Sequence, residues 1–248
     1  MSRFLVINWK NCAICSAENS TAEAGGNPHY LKIRIDYDID GRPAADIFDV
    51  ELVYELDTCG HCGFVWRDLS DAAVDREAVL EIMKSAEWKE TLTTDDPLPL
   101  SLEIERHALL LDKLGEVSLK SARAFLRMAW ILDDEGNPRR SRLYRRKSID
   151  CFLAYLEKIQ DKHGIIESPD YEDNERDIDC NDEEHKQGIY EIVADLYRVS
   201  GRFHECIQFI DSIIQQVQTD YRKILIFTRQ KAVIYDQSIY NLTDIYGH

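Results

Sequence analysis

Four of the seven cysteines stand in two pairs whose spacing suits a metal ion. Cys12 and Cys15 lie in "NCAICS", and Cys59 and Cys62 lie in "TCGHCGF", with 43 residues between the pairs. A two-residue gap lets one tight turn aim both sulfurs of a pair at a single ion, and Gly63 gives the second turn extra backbone freedom. Four thiolates in two such pairs are typical of tetrahedral zinc. The spacing therefore predicts a structural zinc site with these four ligands.

Two other uses of the same cysteines stay open at this point. Iron in a rubredoxin-like site takes the same ligand set, and buried cysteines without metal are the second alternative. Zinc held by four sulfurs keeps no coordination position for a water nucleophile, which argues against metal-assisted hydrolysis. His61 lies inside the second pair and is interpreted as an exposed residue of the turn, not as a replacement ligand.

The rest of the sequence contains no catalytic motif. It has no glycine-rich phosphate loop, no Gly-x-Ser-x-Gly and no His-Glu-x-x-His, and its other histidines lack ligand spacing. We therefore do not predict an enzyme, and a metal-dependent enzyme stays an alternative.

A run of positive charge in "PRRSRLYRRK", residues 138–147, is the second candidate site. Its six cationic residues are Arg139, Arg140, Arg142, Arg145, Arg146 and Lys147. On a helix, Arg142, Arg145 and Arg146 would share a face that could bind phosphate or an acidic partner. The alternative is that the run faces acidic residues of its own chain or solvates a helix.

The overall charge disfavours two classes of partner. The chain carries a formal charge of −16, and residues 1–100 hold 9 basic and 19 acidic side chains. Nucleic acid and anionic membranes attract clustered Lys and Arg, so neither is predicted as a partner. No apolar run reaches the roughly 18 residues that span a bilayer, and the N-terminus lacks a signal-peptide pattern. We predict a cytoplasmic protein.

The elements that must position these residues divide the chain into two parts. Alternation predicts strands at 4–8, 30–39 and 46–56, followed by one helix capped by Ser70 or Asp71. The predicted fold is α+β, with a zinc-binding, strand-rich domain at 1–92, a proline-containing linker at 93–101 and a helical domain at 102–248. An acidic loop is predicted at 168–184.

The helical part has the spacing of a tetratricopeptide repeat. The matching positions are Tyr190, Val193, Ala194, Tyr197, Gly201, Phe203, Cys206, Ile210 and Ile213. A degenerate copy starts at Phe125 and reaches Gly136, after which "NPRRSRLYRR" is predicted to lengthen the turn. Stacked helices of this kind usually offer a concave face to a protein segment. A bundle without a groove is the alternative. Cys151 and Cys206 are predicted to be core residues.

Together these features resemble the prokaryotic domain-of-unknown-function family 2225. The correspondences are Cys12, Cys15, Cys59, Cys62, Gly63, "NPHY" at 27–30, "RMAWILDDEGN" and "ADLYRVSGRFHE". Ser16 departs from the glycine that often follows a first pair, and the acidic loop is longer than the plain repeat requires. The resemblance implies this architecture much more than it implies an activity.

The function predicted from the sequence is a zinc-stabilised interaction or scaffold module that binds a protein or peptide partner, as a subunit or adaptor of a cytoplasmic complex. Oligomer formation through the helices stays open. One alternative is a nucleic-acid-binding regulatory protein that uses the zinc domain or the basic run. The other is a metal-dependent enzyme or a rubredoxin-like iron protein.

Overall fold

The computed structural model describes residues 4–25, 38–40, 42, 56–91, 100–115, 119–161 and 182–246. Two small antiparallel strand pairs lie near the N-terminus, and most of the remaining described residues are helical. The predicted α+β class is therefore confirmed. No helix in these ranges is both long and apolar enough to cross a membrane.

Each cysteine pair occupies the connection between two paired strands. Strand β1 (Phe4–Asn11) pairs with β2 (Glu18–Gly25), and β3 (Asp57–Thr58) pairs with β4 (Val65–Trp66). The strand predicted at 4–8 is confirmed. Strand β2 was not predicted, because "ENSTAEAG" has one β-branched residue, Thr21, and no aromatic residue, and these are the types that favour strands. The strands predicted at 30–39 and 46–56 lie mainly outside the described residues.

The prediction of a single helix after Trp66 is wrong, because the structure has two short helices there. Helix α1 (Arg76–Lys84) is capped by Asp75, whose side chain accepts from two backbone amides, and α2 is Ala86–Glu90. Asp71 instead accepts a hydrogen bond from the Trp66 indole at 3.1 Å. Ser85 interrupts the helix with extended backbone, and its hydroxyl accepts from the Trp88 amide to start α2.

Seven further helices follow along the described part of the chain. They are α3 (Leu100–Lys113), α4 (Leu119–Asp134), α5 (Pro138–Asp161), α6 (Asp182–Val199), α7 (Phe203–Ile213), α8 (Thr219–Val233) and α9 (Leu242–Tyr246).

Two predicted loops need correction. The basic run does not lengthen a turn, because α5 already begins at Pro138, where a proline suits the first helical position. Helix α6 begins at Asp182, so the end of the predicted acidic loop is helical. The rest of that loop, and residues 93–99 of the predicted linker, lie outside the described residues, and the last two linker residues belong to α3.

The helical stack, which we define as α4–α8, is built from neighbours in sequence. Helix α4 packs against α5, α5 against α6, and α8 against both α6 and α7. Gly201 turns the chain between α6 and α7 with a φ of +75°, which favours glycine. These two helices approach each other closely at Cys206, whose thiol donates to the Ala194 carbonyl at 3.2 Å. The repeat assignment itself stays a prediction.

Two hydrophobic clusters form the core, and α3 contributes to both. One cluster lies around the cysteine turns and includes Phe64, Trp88 and Leu110. The other fills the helical stack and includes Ile104. Since Ile104 and Leu110 both belong to α3, this helix joins the metal-binding half to the helical half. The domain boundaries stay predictions.

Candidate metal centre

The four predicted ligands have their sulfurs close together. All four Sγ atoms of Cys12, Cys15, Cys59 and Cys62 lie within 4.8 Å of one another. Two sulfur contacts join the two turns, at 3.7 Å from Cys12 to Cys62 and 3.6 Å from Cys15 to Cys59. Tetrahedral zinc with a Zn–S bond of about 2.3 Å places neighbouring sulfurs about 3.8 Å apart. The donor set and its spacing therefore fit a single tetrahedral metal ion.

The two cysteine turns have the same backbone hydrogen bonds. In each turn the amide of the first cysteine donates to the carbonyl five residues later, and the amide four residues later donates to the carbonyl of the first cysteine. The bonds are Cys12 to Ala17 at 2.9 Å, Ser16 to Cys12 at 2.8 Å, Cys59 to Phe64 at 2.8 Å and Gly63 to Cys59 at 2.8 Å. The metal centre is thus assembled from two copies of one local structure.

The residue after each pair adopts left-handed backbone. Gly63 has a φ of +75°, and Ser16 has a φ of +62° at the equivalent position of the first turn. A glycine takes this conformation without steric cost, whereas a side chain is strained there. The departure of Ser16 from glycine is therefore accommodated by strain, with the shape of the turn preserved.

Backbone amides and burial act against each other on the thiols. Burial alone would raise the pKa of Cys59, but hydrogen bonds from the amides of Cys62 and His61 and from the thiols of Cys62 and Cys15 together lower that pKa to about 7. Burial raises the pKa of Cys62, and the adjacent Cys59 thiolate raises it further. Burial also raises the pKa of Cys12. A bound cation would supply the positive charge needed to hold all four as thiolates.

Asn19 connects the two turns, a role that the sequence did not reveal. Its side-chain amide donates to the Ala17 carbonyl at 2.8 Å, and its oxygen accepts from the Gly60 amide at 3.0 Å. Asn19 is buried. One side chain therefore fixes the first turn relative to the second, independently of any metal.

Arg106 of α3 holds the second turn against the helices. Its guanidinium donates to the Thr91 carbonyl at 2.8 Å and to the Thr91 hydroxyl at 3.2 Å, and it reaches the Gly63 carbonyl at 3.5 Å. It also lies 5.7 Å from the Trp88 ring centroid. A Cβ atom at Gly63 would lie 3.1 Å from the guanidinium. Position 63 is therefore constrained both by its backbone angle and by Arg106.

The six residues of the basic run do not share one surface. Arg145 is buried and donates to the Ser141 hydroxyl at 2.7 Å and to Asp133. Arg140 pairs with Glu105, and Lys147 pairs with Asp112 at 2.9 Å. Arg139, Arg142 and Arg146 are exposed. The prediction that Arg145 shares a face with Arg142 and Arg146 is wrong, because Arg145 points into the helical stack.

The other singled-out residues are outside the set of four sulfur ligands. His61 is exposed in the second turn. Cys206 is buried in the core of the helical stack and Cys151 packs partly buried against it, which confirms both as core residues. Cys180 lies outside the described residues.

Comparison with known proteins gives one match. A sequence profile of the family described as "Uncharacterized protein conserved in bacteria (DUF2225)" matches residues 10–235, a range that contains both cysteine turns and the helical stack. No curated protein and no solved structure matches the chain.

Proposed function

Since the chain belongs to the bacterial family DUF2225, whose description names no activity, we propose a function from the geometry of its parts. The chain is a zinc-stabilised protein-interaction module of the cytoplasm, a subunit or adaptor of a larger complex. The metal holds the N-terminal half in shape, and the helical stack supplies the surface that binds a protein partner.

The metal in this proposal is zinc, and its role is structural. Four sulfurs complete a tetrahedral shell, so no coordination position remains for water or substrate. The same shell would also accept iron, which the absorption spectrum distinguishes. We expect a colourless protein with one zinc per chain by elemental analysis. A red protein that bleaches on reduction would replace zinc with a rubredoxin-like iron centre.

The packing of α8 is the observation that carries the interaction role. This helix contacts both members of the preceding α6–α7 hairpin. Contact of each new helix with the whole preceding pair is how tetratricopeptide-like repeats add layers. Layered helices bury apolar residues between layers and leave side chains on the outer faces free to bind partners.

Three arginines on α5 favour an acidic partner. Arg139, Arg142 and Arg146 follow one another at spacings of three and four residues, so they lie on one face of the helix. All three are exposed, and no acidic side chain pairs with them among the described residues. On a chain with a net charge of −16, this α5 arginine face is suited to an acidic protein segment.

A photo-crosslinking amino acid at Leu143 tests the proposal, because Leu143 is 52% exposed and lies next to the same three arginines. We expect it to capture a stoichiometric protein in native cells. Arg139→Glu/Arg142→Glu/Arg146→Glu should abolish this capture.

The matched control is Lys89→Glu/Lys120→Glu/Arg123→Glu, which changes the net charge equally at exposed positions outside the α5 arginine face. Capture should survive this control. No protein adduct, or equal loss in both triple variants, contradicts the proposal. A nuclease-sensitive adduct would favour the nucleic-acid alternative instead.

A further inference from the structure

Alternate helices of the helical stack share a face that two other segments of the same chain cover. Helices α4, α6 and α8 supply Trp130, Arg198 and Phe227 to this face. The covering segments are Asp236–Asn241, which runs without helix after α8, and a turn formed by Asp38–Asp40 and Arg42. We call this face the α4/α6/α8 groove, and the two covering segments are its occupants. It is separate from the α5 arginine face.

Arg198 contacts the backbone of the first segment. Its guanidinium donates to the carbonyls of Asp236 at 2.8 Å and Ser238 at 2.7 Å. The side chain is fully buried, and Asp195 of the same helix accepts from its Nε at 2.8 Å. Carbonyl oxygens are present in every peptide, so this contact recognises a backbone path and not a particular side chain. An extended segment of another protein could satisfy it equally.

Tyr240 supplies the aromatic anchor of the same segment. Its ring meets Phe227 edge-on at 5.1 Å between centroids, and Lys231 Nζ lies 4.3 Å from the ring centroid. The Arg198 guanidinium lies 5.3 Å from that centroid. Aromatic edge contacts and cation–π contacts of this kind define a pocket with a preference for an aromatic side chain.

The turn from the N-terminal half holds the segment down. The Ile39 amide donates to the Tyr240 carbonyl at 3.0 Å, and Asp38 pairs with Asn241 in an antiparallel bridge. The buried Asp40 accepts from the Trp130 indole at 2.8 Å. Burial raises the pKa of Asp40, while the Trp130 hydrogen bond and the charge of Arg145 act in the opposite direction. The carboxylate therefore accepts hydrogen bonds from the Trp130 indole and the Arg42 amide and lies near two cations, Arg145 and Arg42.

We propose that the α4/α6/α8 groove is a recognition site for an extended, aromatic-bearing peptide segment. Asp236–Asn241 fills it in cis beneath the turn formed by Asp38–Asp40 and Arg42, and a partner's segment binds by replacing the cis segment. Three kinds of contact support this inference. Arg198 binds two backbone carbonyls, the Tyr240 ring packs against Phe227, and Asp38 pairs with Asn241 in a backbone bridge. None of them requires the occupant to be covalently part of the chain. A cis occupant has a high effective concentration, so the intact protein binds such partners weakly until the segment leaves.

A labelled peptide tests the groove directly. The probe is a fluorescent synthetic peptide with the sequence of residues 236–243, DQSIYNLT, and binding to the full chain is followed by anisotropy. Tyr240→Ala removes the cis anchor, and we expect it to bind the probe about 10-fold or more tightly than the wild type. A probe with alanine in place of its tyrosine should bind neither protein.

Tyr235→Ala is the matched control. Tyr235 is 75% exposed just before the segment, and its ring contacts Phe203 outside the groove. This variant should bind the probe like the wild type. Equal affinity of Tyr240→Ala and wild type, with the helical circular dichroism retained, would overturn the proposal.

A milder variant covers the case in which Tyr240→Ala does not fold. Tyr240→Phe keeps the ring and loses only the hydroxyl, which donates to Asp236 at 2.5 Å. We expect it to bind the probe about 3-fold more tightly than the wild type, since one hydrogen bond is lost. No gain in affinity would refute the groove. Crosslinking at Leu143 is unaffected by that outcome, so the two proposals fail separately.

Discussion

The metal-binding half and the helical half of the chain are stabilised in different ways. The cluster around the cysteine turns has eight buried hydrophobic residues among the described ones, and two of these are the ligands Cys12 and Cys59. The cluster of the helical stack has 22. Since apolar burial scales with the size of the core, the smaller cluster cannot hold its turns together as the larger one holds its helices.

The small core around the cysteine turns explains why a bound metal would stabilise this half of the chain. Strands β3 and β4 have two residues each, so they offer few hydrogen bonds to fix the second turn. Asn19 and Arg106 add polar connections, but the pKa of Cys59 is lowered while that of Cys62 is raised, so a cation is needed to hold both as thiolates. Among the described residues of the helical half there is no comparable cluster of potential metal ligands. In the proposed zinc-stabilised module, the metal therefore supplements the small hydrophobic core of the described N-terminal residues.

Removal of the metal should produce the largest difference in stability between the two halves. Structural zinc contributes on the order of 10 kcal/mol to the folding of small domains, so chelation or Cys59→Ala should unfold the cysteine turns while the helices persist. Hydrogen exchange measures both halves at once. We expect residues 57–66 to lose protection and residues 189–210 to keep it.

Cys151→Ala is the control for that experiment, because Cys151 packs against the helical core and takes no part in the metal centre. It should leave metal content and the protection of 57–66 unchanged. Simultaneous loss of protection in both halves after chelation would show one cooperative unit and contradict the division of roles.

The sequence predicted the local parts of the fold better than the contacts between distant segments. Each cysteine turn and the turn at Gly201 depend on residues close in sequence, and these turns appear in the structure. The meeting of the two cysteine turns across 44 and 50 positions is the exception, because a shared ion requires all four sulfurs at one place. The split of one predicted helix at Ser85 depends on a side chain that can either continue a helix or cap the next, which periodicity does not distinguish.

The contacts that sequence reasoning missed join segments far apart in the chain. Asp40 meets Trp130 across 90 positions, and Arg198 meets the carbonyl of Ser238 across 40. Neither pair has a fixed spacing or a recognisable motif. Arg145 was misplaced for a related reason, since a charged run predicts a solvated helix face and gives no sign that Asp133 lies near one member.

The pH dependence of the two halves should have opposite signs. Burial raises the pKa of Glu191 in α6 to about 8, and its Oε1 has no hydrogen-bond partner among the described residues. The native state therefore keeps a proton that the unfolded chain loses above a pKa of about 4.5, so the helical half loses stability as the pH rises toward 8. The metal half loses stability as the pH falls, because protons compete with the metal for thiolates.

Denaturant unfolding of the helical half between pH 6 and 8.5 measures the first of these trends. Burial raises the pKa of Asp195 to about 6, so this carboxyl contributes little to the change of stability with pH above the start of that range. Glu191→Gln has no charge to bury and should flatten the profile, with a gain in the free energy of unfolding at pH 8. An unchanged slope in Glu191→Gln would show that Glu191 is not the responsible group.

The smallest predicted effect compares the two cysteine turns with each other. Ser16 and Gly63 occupy equivalent left-handed positions, but only Ser16 has a side chain that is strained there. Ser16→Gly should therefore stabilise the metal half by about 1 kcal/mol, the cost of a left-handed residue with a Cβ atom. Gly63→Ala should destabilise it, because the added Cβ also lies 3.1 Å from Arg106. Competition with a zinc chelator measures both changes as shifts in the rate of metal loss. If Ser16→Gly released the metal faster, the serine side chain would have to stabilise the turn, and the two turns would differ in energy despite sharing the same hydrogen bonds.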